Sequence, residues 1–503
     1  MKRPSCSKGF VVNSVNEVLI EVRPGRLRSA LTIDGRLVQM IVEDESEPSL
    51  VGNIYLGRVE KVIESLNACF VDLGLDRSGF LAMPEVRPVG EKVSSGDKIS
   101  KYLCEGDKVC VQIQRDSFEG KGPKLTTRLT LLSRSVILTP GDNAIKISHR
   151  IDSVETRSRL KSLLNDIAGQ SEGFIVRTAA ETIPNEDIIA HVEKLREEYL
   201  GIKAGLYAGA MPSLLHGLAD GVIRALRDWT PSDVNRIIID DIQAYLKAKK
   251  FLEQQAPALL ERLSHHKGPQ PLFQVGNLVD DLEQALGAHV DLPSGGSIII
   301  SETAALIAVD VNVAGTSKGE YERSILETNL EACAEIARQI RLRNLSGLLV
   351  VDFVSMKNRK SMNKVLAALK LRIADDPEQV FVAGFTHFGL VEMTRKRSRP
   401  SIRTSLGQNC LKCEGSGLSL TVRTHGFNAL DRLRVEGLSR PSQCLELRTS
   451  KAVAACFDGQ LKNALSELRV ELGIKITIRA DTGLEDEFFD IIRHVSSKGN
   501  IDD

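Results

Sequence analysis

Aromatic residues are scarce in this chain, 4% of its 503 residues, so an aromatic pair beside a turn stands out against the background. Apolar runs of the roughly 18 residues that a bilayer-spanning helix needs are absent. The opening MKRPSCSKGF also lacks the apolar core of a signal peptide. A soluble, cytoplasmic protein with no membrane partner is the resulting expectation. Net charge is missing as well: 66 basic and 66 acidic residues cancel, so only local clusters could mark a nucleic-acid site. The nine cysteines, at 6, 69, 104, 110, 333, 410, 413, 444 and 456, form no framework, which argues against a disulfide scaffold and fits a reducing compartment. Neither G-x-x-x-x-G-K-[ST] nor G-x-G-x-x-G occurs, and nucleoside-triphosphate chemistry is therefore unsupported.

What is present is ordinary globular composition, 42% hydrophobic and 26% charged, with length for roughly three or four domains. Residues 14–44 alternate apolar and polar around Pro24-Gly25 and Asp34-Gly35, which predicts three antiparallel strands. Residues 52–127 carry short β-type runs broken by Gly, Asp and Ser, the pattern of a small barrel. Strands and helices mix over 128–216. The block 217–288, with the strand at Arg236 to Asp240, is expected to complete the sheet begun at 14–44, leaving the barrel inserted between. Over 297–400 the order is strand, strand, helix, strand, helix, strand, an α/β alternation with crossovers. The tail, 420–503, offers an amphipathic helix near 451–472 and the strand IKITIRAD, enough for a small α+β unit.

The strand 304–312 ends in Asp310 and Asn312, two apart and so on one face. After a helix at about 320–343, a right-handed crossover lays LLVVDF parallel to it and brings Asp352 near Asp310 at the carboxyl ends. Two carboxylates and an amide oxygen there suit Mg²⁺ and a phosphate. The alternative is that both acids merely cap adjoining loops. Cys410 and Cys413 make half of a tetrahedral zinc site; either Cys444 completes it within the chain, or a second chain supplies an identical pair, or the thiols are simply unliganded. Arg395, Lys396, Arg397, Arg399 and Arg403 crowd around Glu392, a local positive field suited to phosphates or only a solvated face.

Taken together, NIYLGRVEKVIESLNACFVDLGLDRSGFLAM, GFIVRTA, LPSGGSIIISETAALIAVDVN, LETNLEACAEIARQIRLRNLSGLLVVDF, GLVEMTRKRSRPS and CLKCEGSG resemble the ribonuclease E/G family, in the same order over nearly the whole chain. The chain is closer to the family's short form, ribonuclease G, since it lacks a long Arg- and Pro-rich tail. The resemblance implies an RNase H-like domain from 1–47 and 217–288, an S1-type oligonucleotide-binding (OB) barrel at 48–127 inserted in it, and a 5′-sensor region at 128–216. A DNase I-like catalytic domain at 289–405, a zinc-link at 406–419 and a small dimerisation domain at 420–503 follow.

It further implies endonucleolytic cleavage of single-stranded A/U-rich RNA to 5′-phosphate and 3′-hydroxyl ends, in ribosomal RNA maturation and messenger RNA decay. Asp310 and Asp352 would hold the catalytic Mg²⁺, with Asn312 orienting the scissile phosphate. Phe70 and Phe80 match stacking aromatics and Lys121 a basic RNA contact, the usual single-strand device. Arg177 and Thr178 match the pocket for a stimulating 5′-monophosphate. Cys410 and Cys413 would share a structural Zn²⁺ between two chains, giving a homodimer or homotetramer. The sequence departs from the family at Val313, Ser355 and Leu411, which leaves an RNA-binding assembly protein with weak cleavage as the rival; a magnesium phosphatase or DNA nuclease built on the same carboxylates is a further one, the barrel's stacking pair arguing against the phosphatase.

Overall fold

The computed structural model describes residues 15–44, 46, 48–87, 96–117, 121–208, 211–217, 220–275, 278–314, 321–397, 399–408, 410, 412–413, 415, 417–439 and 444–494. Two units emerge, residues 1–407 and 408–503.

In the first unit, alternation around two glycine turns produces β1 (Asn16–Arg23), β2 (Arg26–Ile33) and β3 (Arg36–Asp44), paired antiparallel. Gly25 and Gly35 sit at φ +80° and +76°, a conformation that favours glycine and closes each hairpin. Next come β4 (Ile54–Ile63), β5 (Ala68–Asp72), β6 (Gly79–Ala82), β7 (Lys108–Arg115) and β8 (Lys124–Thr126). Their order β4-β5-β6-β8-β7, with β7 pairing back onto β4, closes a five-stranded barrel consistent with an OB fold. Its interior is filled by Val59, Cys69, Val71, Leu81, Val111, Ile113 and Leu125.

A four-stranded sheet follows from β9 (Leu131–Leu132), β10 (Val136–Pro140), β11 (Ile145–Ile147) and β12 (Glu172–Val176). It packs against α1 (Val154–Ile167) and α2 (Asn185–Ala208) through Leu138, Phe174, Leu160, Leu164, Ile188 and Val192. Strand β13 (Ser213–His216) adds to the barrel along β4. After α3 (Gly221–Asp228) comes β14 (Arg236–Ile239), which lies parallel to β1. With α4 (Ile242–Gln255) and β15 (Leu263–His265) it completes a five-stranded sheet ordered β15-β14-β1-β2-β3. Residues 16–44 and 236–265 thus share one sheet across the barrel between them. Both faces of β1 are covered: Val18 and Ile20 meet Leu226, Ile237 and Leu252, while Leu19 on the other side joins a cluster with Leu272, Leu278 and Leu342.

After α5 (Leu272–Val275) and α6 (Leu278–Leu286), six strands form the sheet that matters most for function. They are β16 (His289–Asp291), β17 (Ser297–Glu302), β18 (Ile307–Asn312), β19 (Gly347–Asp352), β20 (Val380–Phe385) and β21 (Leu390–Arg395), ordered β16-β17-β18-β19-β21-β20. One face is covered by α7 (Tyr321–Arg343) and α8 (Arg359–Ile373). The expected α/β alternation is present, but only β18 and β19 pair in parallel. Strand β21, which the expected order omits and which runs into the basic stretch only at Arg395, inserts between β19 and β20 as the return arm of a hairpin. The short α9 (Ile402–Leu406) ends the unit.

The second unit consists of α10 (Val422–Ser439), β22 (Cys444–Thr449), α11 (Lys451–Asp458), α12 (Lys462–Leu472), β23 (Lys475–Ala480) and β24 (Phe489–His494), with sheet order β23-β22-β24. The single helix expected near 451–472 is two helices, broken at Gly459, where glycine weakens helix propagation.

Candidate functional site

Strand β18 buries Ile307, Val309 and Val311 under α7 and leaves Asp310 and Asn312 exposed on the opposite face. Strand β19 does the same with Leu349 and Val351 inside and Asp352 outside. The parallel register pairs Asp310 directly with Asp352, so the two carboxylates stand on neighbouring strands roughly 4.8 Å apart at the backbone. Asn312 Nδ2 donates to Asp310 Oδ2 at 2.9 Å, which fixes the amide beside the acid pair.

Two local features hold this edge in place. Gly296 packs so tightly that a Cβ there would lie 2.6 Å from the Asn312 carbonyl oxygen, so the LPSGGS segment needs glycine at this position to let β17 approach. Asn329 of α7, fully buried, donates Nδ2 to Val354 O at 2.9 Å and accepts from Val354 N at 3.1 Å. That amide anchors the backbone two residues beyond Asp352. Sequence reasoning did not single out Asn329; an amide on the helix face that meets the sheet was its only signal.

The donor set is chemically apt for a hard divalent cation, which commonly takes one or two carboxylates and completes its shell with water and phosphate oxygens. Among the described residues no group of three or more His, Cys, Asp or Glu side chains is arranged to hold a metal. Val313 is half-buried and Ser355 exposed.

The basic stretch divides in two. Arg395 is only 3% exposed and donates Nε and Nη2 to Asp376 at 3.0 Å each, with Nη1 on Asn344 Oδ1 at 2.8 Å and Leu345 O at 3.0 Å. It braces the turn that leads into β19 and is spent as a phosphate ligand. Arg399 is half-buried, whereas Lys396 and Arg397 are exposed.

On the barrel, Phe70 and Phe80 are register partners on β5 and β6, with ring centroids 5.8 Å apart at 62°. Both are half-buried and outside the barrel's core cluster. Lys61 pairs with Phe70 and Lys124 with Phe80, so two aromatic rings are flanked by lysines across four strands. Lys124 bonds Glu85 at 2.9 Å. Lys121 is exposed, and the adjoining Gly122 lies against the Ser78 carbonyl, which brings Lys121 near the turn before Phe80.

Arg177 follows β12 and Thr178 comes next. The Thr178 hydroxyl lies 3.1 Å from that of Ser148 and the residue is exposed. The Arg177 side chain is 20% exposed. Its Nη1 donates to Ser133 O at 2.9 Å and Arg227 O at 3.1 Å and meets Asp228 Oδ1 at 3.3 Å; Nη2 donates to Asp228 O at 3.0 Å. Much of the guanidinium fork is thus engaged with the C-terminal end of α3. Burial lowers the Arg177 pKa, against the pull of Asp228. Arg134 meets the same helix end through Leu226 O and Thr230 O, and burial together with Arg177 brings it down to about 10.

In the second unit Cys410 is exposed and Cys413 half-buried; Leu411 lies outside the described residues. Cys413 borders a cavity of about 300 Å³ together with Lys412, His425, Glu485 and Asp486. Cys444 is half-buried at the start of β22.

Comparison with known proteins matches the Ribonuclease E/G family over residues 130–398. Ribonuclease G of Salmonella typhimurium (strain SL1344) is 33% identical over 485 residues, covering 95% of this chain and 99% of that protein. Ribonuclease G of Haemophilus influenzae is 31% identical over the same length and coverage. Ribonuclease E of Nostoc sp. is 36% identical over 405 residues, 79% of this chain and 58% of that protein.

Proposed function

Because the chain belongs to the ribonuclease E/G family, we propose that it is a Mg²⁺-dependent endoribonuclease that cleaves single-stranded, A/U-rich RNA to 5′-phosphate and 3′-hydroxyl ends. The observation that carries this reading is the register pairing of Asp310 with Asp352 on adjacent parallel strands, with Asn312 bonded to Asp310. Asp310 and Asp352 are the residues that would hold the ion. When bound, Mg²⁺ supplies charge neutralisation at a phosphate oxygen and lowers the pKa of a coordinated water. The Asn312 amide, held beside the acids, orients the scissile phosphate.

In this reading the six-stranded sheet is DNase I-like, the five-stranded sheet RNase H-like and the barrel an S1-type domain. Phe70 and Phe80 offer faces on which bases stack, and Lys121 screens the backbone phosphates. Arg177 and Thr178 recognise a 5′-monophosphate that stimulates cleavage, with Arg177 using the donors not engaged by α3. Cys410 and Cys413 supply half of a Cys₄ zinc site, completed by a second chain, since tetrahedral zinc needs four ligands. Ribosomal RNA maturation and messenger RNA decay are the processes this activity serves.

The exposed Ser355, where a further acid would strengthen the anionic edge, is the feature that favours a weakly cleaving RNA-binding protein instead. One experiment separates them: incubate the purified chain with a 5′-monophosphorylated, A/U-rich single strand, with and without Mg²⁺, and analyse the product ends. Mg²⁺-dependent cuts leaving 5′-phosphates are expected; a bound but uncut strand would favour the binder.

A further inference from the structure

The face of the six-stranded sheet that bears Asp310 and Asp352 continues beyond them. Burial alternation puts Leu349, Val351, Val391, Met393, Val380 and Val382 in the core beneath the helices. Their neighbours Leu348, Val350, Glu392, Thr394 and Phe381 therefore face the other way, with the carboxylates. Register lines up Leu348 with Thr394, and Thr394 with Phe381, as one row across β19, β21 and β20. A second row joins Val350 to Glu392, and a third holds Asp310 and Asp352.

Phe381 is 66% exposed and Leu348 42% exposed. A large ring left this open within a strand, on a chain so poor in aromatics, has no packing role to account for it. The irregularity between Val382 and Gly384 lets Phe385 turn inward beside Phe353 while Phe381 remains outward. Two residues beyond Thr394, Lys396 extends the pairing through its N–H on Gln379 O at 3.0 Å and is exposed.

We propose that Phe381 is a base-stacking platform for the RNA strand a few nucleotides from the scissile bond, with Lys396 meeting the backbone at its margin and Glu392 accepting from a base amino group on the way. The proposal rests on Asp310 and Asp352 being the cleavage site. Strand rise and spacing put Phe381 roughly 16 Å from Asp352, so a strand lying across this face reaches it only if it extends past the cut. Glu392 between them repels phosphate, which turns the bases toward the sheet. A carboxylate there can accept from an exocyclic amine, an aromatic face suits any base, and the cation lies where the backbone leaves. A protein occupant would gain nothing from the nearby acid pair. RNA explains the acids, the ring and the lysine on one continuous surface.

The test uses the full chain and a nested set of single-stranded oligonucleotides, extended stepwise on either side of one cleavage position. Phe381→Ala should raise KM about five- to hundredfold on substrates long enough to reach the ring, with kcat within about twofold, and leave the shortest cleaved substrate unchanged. Phe381→Trp should restore KM. Lys396→Ala should reduce the salt dependence of binding by about one phosphate contact. Since Phe381 is exposed, thermal unfolding should not shift. An unchanged KM on every length, with the parent chain cleaving normally, overturns the platform while leaving the nuclease reading intact. A drop in solution mass for Phe381→Ala would instead assign this face to a second copy of the chain and also overturn it. Failure of the parent chain to cleave any oligonucleotide would refute the nuclease reading itself.

Discussion

Single side chains in this protein do their work through partners far away in sequence. Arg177 shows the consequence. From sequence it is a free guanidinium suited to a terminal phosphate, but its donors reach Ser133, Arg227 and Asp228, so it ties the four-stranded sheet to the end of α3. Arg177→Ala should therefore have two effects. It should remove the preference for 5′-monophosphorylated over 5′-hydroxyl RNA, about ten- to hundredfold in kcat/KM, since a charge-assisted fork is lost. It should also lower Tm, because backbone carbonyls lose donors. Comparing linear with circular substrates at a temperature where the variant is folded separates the two: equal loss on both would withdraw the phosphate pocket. Arg395 marks the contrast, since its bidentate pair with Asp376 is buried and leaves nothing for RNA.

At the scale of elements, the barrel's aromatic row makes the next prediction. Phe70 and Phe80 meet edge to face outside the core, so replacing both with Ala should weaken single-strand binding strongly while leaving the fold. Each stacked base contributes on the order of 1–3 kcal/mol. Equilibrium binding to an A/U-rich oligonucleotide is the check, and unchanged affinity would assign the pair to packing alone. Elements with clean local periodicity were legible: β1 to β3, α7, β18 and β19 follow from alternation and turn residues, and the handedness of crossovers was enough to bring Asp310 beside Asp352. Strand β21 was not legible, because Glu392 and Arg395 read as part of the charged stretch that runs on to Arg403, until the sheet turns Arg395 inward. The break at Gly459 was hidden by continuous amphipathicity on both sides. Neither Asn329 nor Phe381 could be assigned, since each depends on which face its element presents to a neighbour distant in sequence.

At the scale of the whole molecule, residues 1–407 carry the barrel and the carboxylate sheet, and residues 408–503 carry the paired cysteines. Two thiols cannot complete a tetrahedral zinc site, so on the proposed shared site the parent should carry one zinc per two chains, and Cys410→Ser with Cys413→Ser should lose that zinc and shift the solution mass toward monomer. One zinc per chain with unchanged mass would place the remaining ligands within the chain. The central claim, however, is that Asp310 and Asp352 together make this chain a nuclease. Its most direct test is single-turnover cleavage by Asp310→Asn and Asp352→Asn at limiting Mg²⁺, alongside RNA affinity for the same variants. The account predicts cleavage abolished in both with RNA affinity retained, because the barrel grips the strand without the acids; cleavage near the parent rate in either variant would contradict it.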